Sequence, residues 1–341
     1  MRDIRQKVTL KDIAEATGFS INTVSRALRG KDDIAPETRR IIEQAQIDMG
    51  YISNSLASSL RRGYTNTIAV IIGDISNPHF GILMRNIDLH ARKYGYDSIL
   101  MTTNEDEDLE KHAIQAALNK NVDGIIICPC QKSDRNIKYL QSMKVPFVLM
   151  GRRFESLNTD YVICDDEKGG YLATKALIDS GHRRILILQG APYISSARER
   201  LAGYIRAHEE AGLQVCRELI HEGSVISGAG HDHYQEILDK NLGFTGIFAF
   251  SDLIAWDFWR FLHIKGCHVP RDFSLIGFDY IQSRLSLPIE LSSIVSHKGL
   301  MSEETVDVLV SIMRGEAPTD HPIQRVVDTA LSTGETIRTL Q

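Results

Sequence analysis

The chain has 341 residues, of which 43% are hydrophobic and 24% charged, as in a folded globular protein rather than a disordered one. No apolar run approaches the roughly 18–20 residues of a membrane helix, and the charged N-terminus lacks the apolar stretch of about 7–15 residues that a secretory signal needs. We therefore expect a cytoplasmic protein of about two to three domains with no membrane partner. The five cysteines are an odd number and indicate reduced thiols.

Charge is distributed unevenly along the chain. Residues 1–62 contain 11 Lys and Arg against 8 Asp and Glu, a net charge of +3, whereas the whole chain has a net charge of −5. A small basic segment ahead of a larger acidic body suggests a module that binds a polyanion.

The first fifty residues predict three short amphipathic helices. The predicted N-caps or first-turn residues are Thr9, Ser20 and Pro36, and the predicted stops are Gly18, Gly30 and Gly50. The first two helices are separated by a short turn around Gly18, which is typical of a helix-turn-helix. A small three-helix bundle used for protein contacts is the competing interpretation.

In a helix-turn-helix the N-terminal part of the second helix contacts base edges in the major groove. Asparagine pairs with adenine, arginine with guanine, and an apolar side chain contacts the thymine methyl. The predicted base-contacting residues are Ile21, Asn22 and Arg26, and the predicted phosphate-contacting residues are Thr23, Ser25 and Arg29. Double-stranded DNA is thus the predicted partner of this segment.

Residues 53–62, SNSLASSLRR, form a Ser-rich bridge with weak helical spacing. Such a short helix is marginal alone and needs a partner, either its copy in a dimer or the DNA. Leu60 is then a candidate apolar wedge in the minor groove, and Arg61 suits the phosphates. We add Asn54 to the predicted DNA-contacting residues. A flexible linker is the alternative interpretation.

The rest of the chain alternates buried apolar strands with amphipathic helices, which indicates parallel sheets. The pattern runs from Ile68 to Met150 and restarts after Cys164. The predicted fold is an all-α helix-turn-helix head followed by an α/β core of two doubly wound parallel-sheet subdomains. Ligands in such folds bind beyond the carboxyl ends of strands.

Polar and aromatic residues that follow the predicted strands are the candidate effector-binding residues. Together they suit a neutral polyhydroxylated ligand such as a sugar. For each of them a helix cap or a surface ion pair is the alternative role. The candidates are Asp74, Asn77, His79, Phe80, Arg152, Ser196, Arg200, Ser251, Asp252 and Asp279.

Two short motifs resemble metal sites but lack the required spacing. Cys128-Pro-Cys130 has one residue between its thiols and no second cysteine pair, and His231-Asp232-His233 has no accompanying HExxH. The sequence also lacks a P-loop, a GxSxG motif and a dinucleotide-binding glycine fingerprint. We expect no metal, no cofactor and no catalytic activity.

Several segments resemble the lactose/galactose repressor (LacI/GalR) family. The resemblance begins with VTLKDIAEATGFSINTVSRAL and ETRRIIEQAQIDMGYISNSLASSL, which match its DNA-binding head and hinge. It continues in family order through DISNPHFG, NVDGIII, DDEKGG, SGHRRILIL, RERLAGY, FSDLIA and VPRDFSLIGFD. It therefore covers essentially the full length.

The resemblance implies a helix-turn-helix domain at 1–50, a hinge at 51–65 and an effector-binding and dimerisation core at 66–341. It implies an N-subdomain of about 66–162 and 292–322, and a C-subdomain of about 163–291 and 323–341. Ser53 and Ser58 depart from the proline and arginine common in the family at those hinge positions. Both departures bear on the strength of the hinge.

By the same resemblance, Leu60 is the hinge wedge, Phe80 an aromatic effector contact, and Arg200 and Asp279 hold the ligand. Gly151 stands where many sugar-responsive members have aspartate. The implied protein is a ligand-responsive transcriptional regulator, a repressor more often than an activator. It would act as a homodimer on a near-palindromic operator. The alternative is a cytoplasmic sugar-binding protein or a sugar-metabolising enzyme with an unrelated N-terminal module.

Overall fold

The computed structural model describes residues 8–51, 63–222, 231–284 and 289–340. The chain divides into two compact units, residues 1–65 and 66–341. The predicted hinge contacts Asn54, Leu60 and Arg61 lie outside the described residues. Among the described residues, no helix is both long and apolar enough to cross a membrane.

The described part of the first unit contains three helices: α1, Leu10–Thr17; α2, Ile21–Ala27; and α3, Pro36–Met49. A capping box joins Thr9 and Asp12 at the start of α1, and Gly18 ends it with a φ of 74°. Ser20 caps α2 as predicted, but α2 ends at Ala27, before the predicted stop at Gly30.

The three helices bury one small apolar core. Its fully buried members are Ile13, Val24, Ala27 and Ile42, one or two from each helix. Val24 and Ala27 lie three residues apart on α2, so one face of that helix packs inward and the opposite face remains exposed to solvent.

The second unit contains two lobes, each built on a six-stranded sheet. In the first lobe all strand pairs are parallel, in the order β11-β5-β4-β3-β1-β2. Its strands are β1, Thr67–Ile72; β2, Asp97–Thr102; β3, Gly124–Ile127; β4, Phe147–Met150; β5, Tyr161–Cys164; and β11, Gln324–Val327. Its helices are α4, Pro78–Lys93; α5, Glu107–Asn119; α6, Arg135–Met143; and α11, Lys298–Met313.

The second lobe has the strand order β12-β10-β9-β8-β6-β7. Among its described strand pairs, only the edge pair β10–β12 is antiparallel. The strands are β6, Ile185–Gln189; β7, Ile220–Glu222; β8, Gly246–Ala249; β9, Ser274–Asp279; β10, Ser292–Val295; and β12, Ala330–Ser332. The helices are α7, Asp166–Asp179; α8, Ser195–Glu210; α9, His231–Asp239; and α10, Asp252–Ile264, with 3₁₀ turns at Arg217–Leu219 and Ile281–Arg284.

The chain crosses between the lobes at different points from those implied by the resemblance. β5 belongs entirely to the first sheet, whereas the implied boundary falls within it. β10 pairs with β9 in the second sheet, so residues 292–295 do not belong to the N-subdomain. β11 pairs with β5 in the first sheet, so residues 324–327 do not belong to the C-subdomain. Each crossing follows the end of a strand, because a strand must complete its ladder before the chain can leave the sheet.

Candidate functional site

The outward face of α2 carries the residues predicted to contact DNA. Ile21 is 50% exposed, and Asn22 and Arg29 are also exposed. Thr23, Ser25 and Arg26 are partly buried. Five of the six predicted side chains therefore lie on α2, around the buried face formed by Val24 and Ala27, and Arg29 lies two residues beyond the end of that helix.

Several of these polar groups already have partners within the first unit. The Ser20 hydroxyl accepts a hydrogen bond from the Thr23 amide at 3.1 Å and lies 2.9 Å from the Thr23 hydroxyl. Arg29 donates to the Ser25 carbonyl at 2.8 Å, and Arg26 pairs with Asp33. Asn22 makes no side-chain hydrogen bond within the described part of the chain.

In the second unit the carboxyl ends of strands from both sheets border a cleft between the lobes. The free volume of the cleft is about 70 Å³. The lining residues are Asn77, His79, Phe80, Leu83, Glu105, Cys128, Met150, Gly151, Arg152, Cys164, Ser196, Arg200, Phe250, Ser251, Asp279 and Met301.

Arg200 is a buried cation in the second lobe. It is 6% exposed, and its Nε donates to Asp166 at 2.8 Å. Its guanidinium also donates to the Phe250 carbonyl and lies 4.4 Å and 3.4 Å from the ring centroids of Phe250 and Phe278. Burial raises the pKa of Asp166, and Arg200 opposes that shift. Packed between two rings and bonded on two sides, Arg200 has a fixed orientation.

Asp279 lies at the end of β9, facing the first lobe. Its Oδ1 is 3.1 Å from His79 Nδ1, and its carbonyl accepts a hydrogen bond from Lys298 Nζ. Burial favours a raised pKa for Asp279, but His79, Arg200 and Lys298 outweigh it, so the pKa lies below its usual value. The carboxylate is therefore charged at neutral pH. Its φ of 110° is unusual for a residue with a side chain. Such strained backbone angles occur often at functional sites.

Arg152 and Glu105 form a buried ion pair in the first lobe. Two parallel hydrogen bonds of 2.7 and 2.8 Å join them, and Arg152 also donates to the Pro129 carbonyl at 2.8 Å. Glu105 was not among the predicted site residues. It follows β2 by three residues with a φ of 58°, so its position after a strand end was the available signal.

Direct contacts hold the two lobes together beside the cleft. The Gln131 side chain of the first lobe accepts a hydrogen bond from the Ser195 amide at 2.9 Å. Arg153 pairs with Glu199 of α8 at 2.8 Å. These contacts involve the first turns of α8, the helix that carries Ser196 and Arg200 into the cleft, so opening of the lobes would break them.

Eight of the ten predicted effector residues line the cleft, and Asp74 and Asp252 do not. Asp74 bonds to the Ser76 amide at 2.8 Å in a surface turn. Asp252, in the first turn of α10, accepts hydrogen bonds from the Ile281 amide at 2.8 Å and the Ser293 hydroxyl at 2.6 Å. It fixes the segment after β9 and does not face the cleft.

Asp252 gives a prediction about pH. Burial, together with the charge of Asp279, raises the pKa of Asp252 to about 7. In the unfolded chain this carboxyl loses its proton near pH 4, whereas in the folded chain it does so near pH 7. The free energy of unfolding therefore falls as the pH rises between those two values. We expect Asp252→Asn, whose amide can donate to Ser293, to flatten the fall in the free energy of unfolding between pH 5 and 7.5. Urea titrations at each pH measure this, and a slope equal to that of wild type contradicts it.

The thiols of the Cys128-Pro-Cys130 motif are both buried. Burial raises the pKa of Cys128 to about 12 and also raises that of Cys130. Both therefore stay protonated at neutral pH. A thiol rather than a thiolate is a poor metal ligand and a poor nucleophile.

Two family models match most of the chain. Residues 9–54 match the family model for bacterial regulatory proteins of the lacI family, and residues 65–326 match that for periplasmic binding proteins and the sugar-binding domain of the LacI family. The chain belongs to the LacI family. It is a transcriptional repressor of that family with a sugar-binding type of domain. Because its relatives are transcriptional regulators, the enzyme alternative is excluded.

Two curated relatives of this LacI-family chain cover most of its length. The HTH-type transcriptional regulator DegA of Bacillus subtilis is 33% identical over 276 residues, 80% of this chain and 82% of DegA. The ribose operon repressor of Haemophilus influenzae is 31% identical over 302 residues, 89% of this chain and 91% of that repressor.

Solved structures of the LacI family are also similar. A complex of the regulator CelR with cellobiose has a TM-score of 0.73 at 26% identity, covering 97% of this chain and 100% of the other. The Lac repressor dimer bound to operator and an anti-inducer has a TM-score of 0.84 at 23% identity, covering 98% and 100%. The second similarity supports the predicted fold alone.

Proposed function

We propose that this repressor acts as a homodimer on a near-palindromic operator and that a sugar or sugar derivative bound in the cleft between the lobes controls it. The main support is the composition of the cleft, which is lined by the fixed cation Arg200, the ionised Asp279 and the aromatic residue Phe80. Carboxylates accept hydrogen bonds from hydroxyl groups and arginine donates to them, while an aromatic face covers the apolar side of a sugar ring.

The proposed DNA-reading element is α2, within a head of residues 1–50. Its exposed Asn22 suits an adenine edge, Ile21 a thymine methyl, and Arg26 a guanine once its ion pair with Asp33 opens. Thr23, Ser25 and Arg29 are proposed phosphate contacts. The hinge proposed at 51–65 contributes Asn54, Leu60 and Arg61, and two heads of a dimer would read two half-sites.

Ligand binding and DNA binding are coupled in this proposal through movement of the lobes. A ligand bound in the cleft would touch side chains of both lobes, and the lobes would change their relative angle as it enters or leaves. The contacts Gln131–Ser195 and Arg153–Glu199 would then break or shift. A ligand that prefers one arrangement of the lobes changes operator affinity, and by linkage the operator changes ligand affinity equally.

The proposal predicts specific binding to DNA upstream of the chain's own gene and its neighbours. We expect a gel shift that survives moderate salt, and a raised melting temperature with at least one member of a panel of sugars and sugar phosphates. That ligand should change operator affinity by about 5–150-fold. A monomer that binds none of these promoter fragments would contradict operator recognition. A stabilising sugar without any change in DNA affinity would contradict the coupling.

A further inference from the structure

A second cavity lies at the opposite edge of the second lobe from the interlobe cleft. It is formed where β6 begins, beside the C-terminal half of α8 and the loop that leads to β7. Its volume is about 470 Å³, within the usual range for small-molecule sites. The floor includes Tyr204 and His208, which are 0% and 2% exposed.

Three arginines line this cavity: Arg183, Arg184 and Arg217. No carboxylate is among the described residues that line it. Within the described part of the chain, none of the three guanidinium groups has a carboxylate partner within 4.0 Å. This differs from the interlobe cleft, where Arg152 and Arg200 are each paired with a buried carboxylate.

Two of the arginines are held in place by neutral acceptors. Arg184 Nε donates to the Leu242 carbonyl at 2.7 Å, and Arg183 Nη1 donates to the Ile178 carbonyl at 3.0 Å. A carbonyl oxygen orients a guanidinium group but leaves its positive charge uncompensated. The cavity therefore combines two positioned donors with the charge of three exposed arginines that no carboxylate of the described residues neutralises, which suits a multiply charged anion.

His208 adds a polar group to the buried floor. Its Nδ1 lies 2.9 Å from the Tyr204 carbonyl, which leaves Nε2 without a hydrogen bond among the described residues. Arg200, Tyr204 and His208 are spaced four residues apart along α8, so one face of this helix runs from the interlobe cleft to the second cavity.

We propose that this cavity binds a small phosphate-bearing molecule, with Arg183, Arg184 and Arg217 as its ligands. One guanidinium group can donate two parallel hydrogen bonds to two phosphate oxygens. Three guanidinium groups together offer more donors than a single carboxylate can accept. The site is distinct from the proposed effector cleft, since it lies at the amino ends of the strands and shares none of the cleft's lining residues.

Pyrophosphate is the test probe, titrated calorimetrically into the full-length chain at about 0.15 M ionic strength to screen loose surface attraction. We expect saturable binding of one anion per chain. Arg183→Gln/Arg217→Gln should raise the Kd roughly tenfold or more, because each change removes a charge-assisted donor. Arg135→Gln is the matched control, since Arg135 is exposed in the first lobe and has no ion pair among the described residues. It should bind as wild type does.

Absence of saturable binding at millimolar pyrophosphate would overturn the proposal. So would equal affinity in wild type and Arg183→Gln/Arg217→Gln, since the anion would then bind elsewhere. A thymidylate oligonucleotide forms a second arm. If the double variant weakens only the oligonucleotide and pyrophosphate does not bind, a nucleic-acid backbone is the ligand and the small-molecule assignment is wrong. Matching melting curves verify that the variants are folded.

Discussion

Replacing Arg200 with methionine is expected to lower the free energy of unfolding by about 3–5 kcal/mol at neutral pH, the usual cost of breaking a buried ion pair from one side. Asp166 is 1% exposed and loses its charged partner in the variant. Methionine fills much of the space between Phe250 and Phe278, so the loss reflects the stranded carboxylate more than a cavity.

The pH dependence of the Arg200→Met variant distinguishes charge from packing. Burial already raises the folded-state pKa of Asp166, and loss of Arg200 removes the main opposing influence. As the pH rises above about 4, the Asp166 carboxyl therefore ionises in the unfolded state before it does so in the folded state. The variant loses stability relative to wild type between about pH 4 and neutral pH. Urea unfolding at pH 4.5 and pH 7.5 should show a smaller deficit at the lower pH.

Two further variants complete this experiment. Arg200→Met/Asp166→Asn should recover most of the lost stability, because no buried charge is left unpaired, but should not recover ligand binding if Arg200 holds the effector. Arg206→Met is the control on the same helix. Its ion pair with Glu167 is exposed, at 43% and 47%, so its expected cost is at most about 1 kcal/mol. A deficit for Arg200→Met that does not depend on pH would contradict the stranded-carboxylate explanation.

Features set by neighbouring residues could be predicted from the sequence. The capping box of Thr9 and Asp12 and the stop at Gly18 depend on contacts three or four residues apart, and the structure shows both. The strands that begin the two lobes were also recognisable, because buried parallel strands are continuous apolar runs such as Ile68–Ile72. Eight of the residues that line the cleft then followed from the rule that sites lie beyond strand ends.

Features set by distant contacts could not be predicted from the sequence. Glu105 joins Arg152 across 47 positions, and Asp252 turns away from the cleft to bond with Ser293, 41 positions later. An aspartate in the first turn of a helix looks the same in sequence whether it caps, ligates or supports a loop. The final crossings between the lobes involve β10 and β11, which have four residues each. Strands this short have too little periodicity to show from the sequence which sheet they join.

Replacing Asn22 and Arg26 together with alanine is expected to weaken binding to the cognate operator roughly a hundredfold or more. Each good base contact contributes about 1–3 kcal/mol of discrimination. The head should remain folded, because Asn22 is exposed and the Arg26–Asp33 ion pair is also largely exposed, at 42% and 52%; such pairs contribute little to stability. Fluorescence anisotropy with operator and scrambled duplexes should show a loss confined to the operator.

Salt dependence separates the proposed base contacts on α2 from the proposed phosphate contact at Arg29, two residues beyond the end of that helix. Removing Arg29, a proposed phosphate contact, should weaken operator and scrambled duplexes alike and reduce the slope of log K against log salt by about 1. Asn22→Ala should change sequence preference without changing that slope. Arg40→Ala on α3, where Arg40 pairs with Glu37 at 2.8 Å, is the control variant and should retain wild-type preference. If the Asn22→Ala/Arg26→Ala variant binds its operator with unchanged affinity and preference, α2 does not read the bases and the head uses another surface.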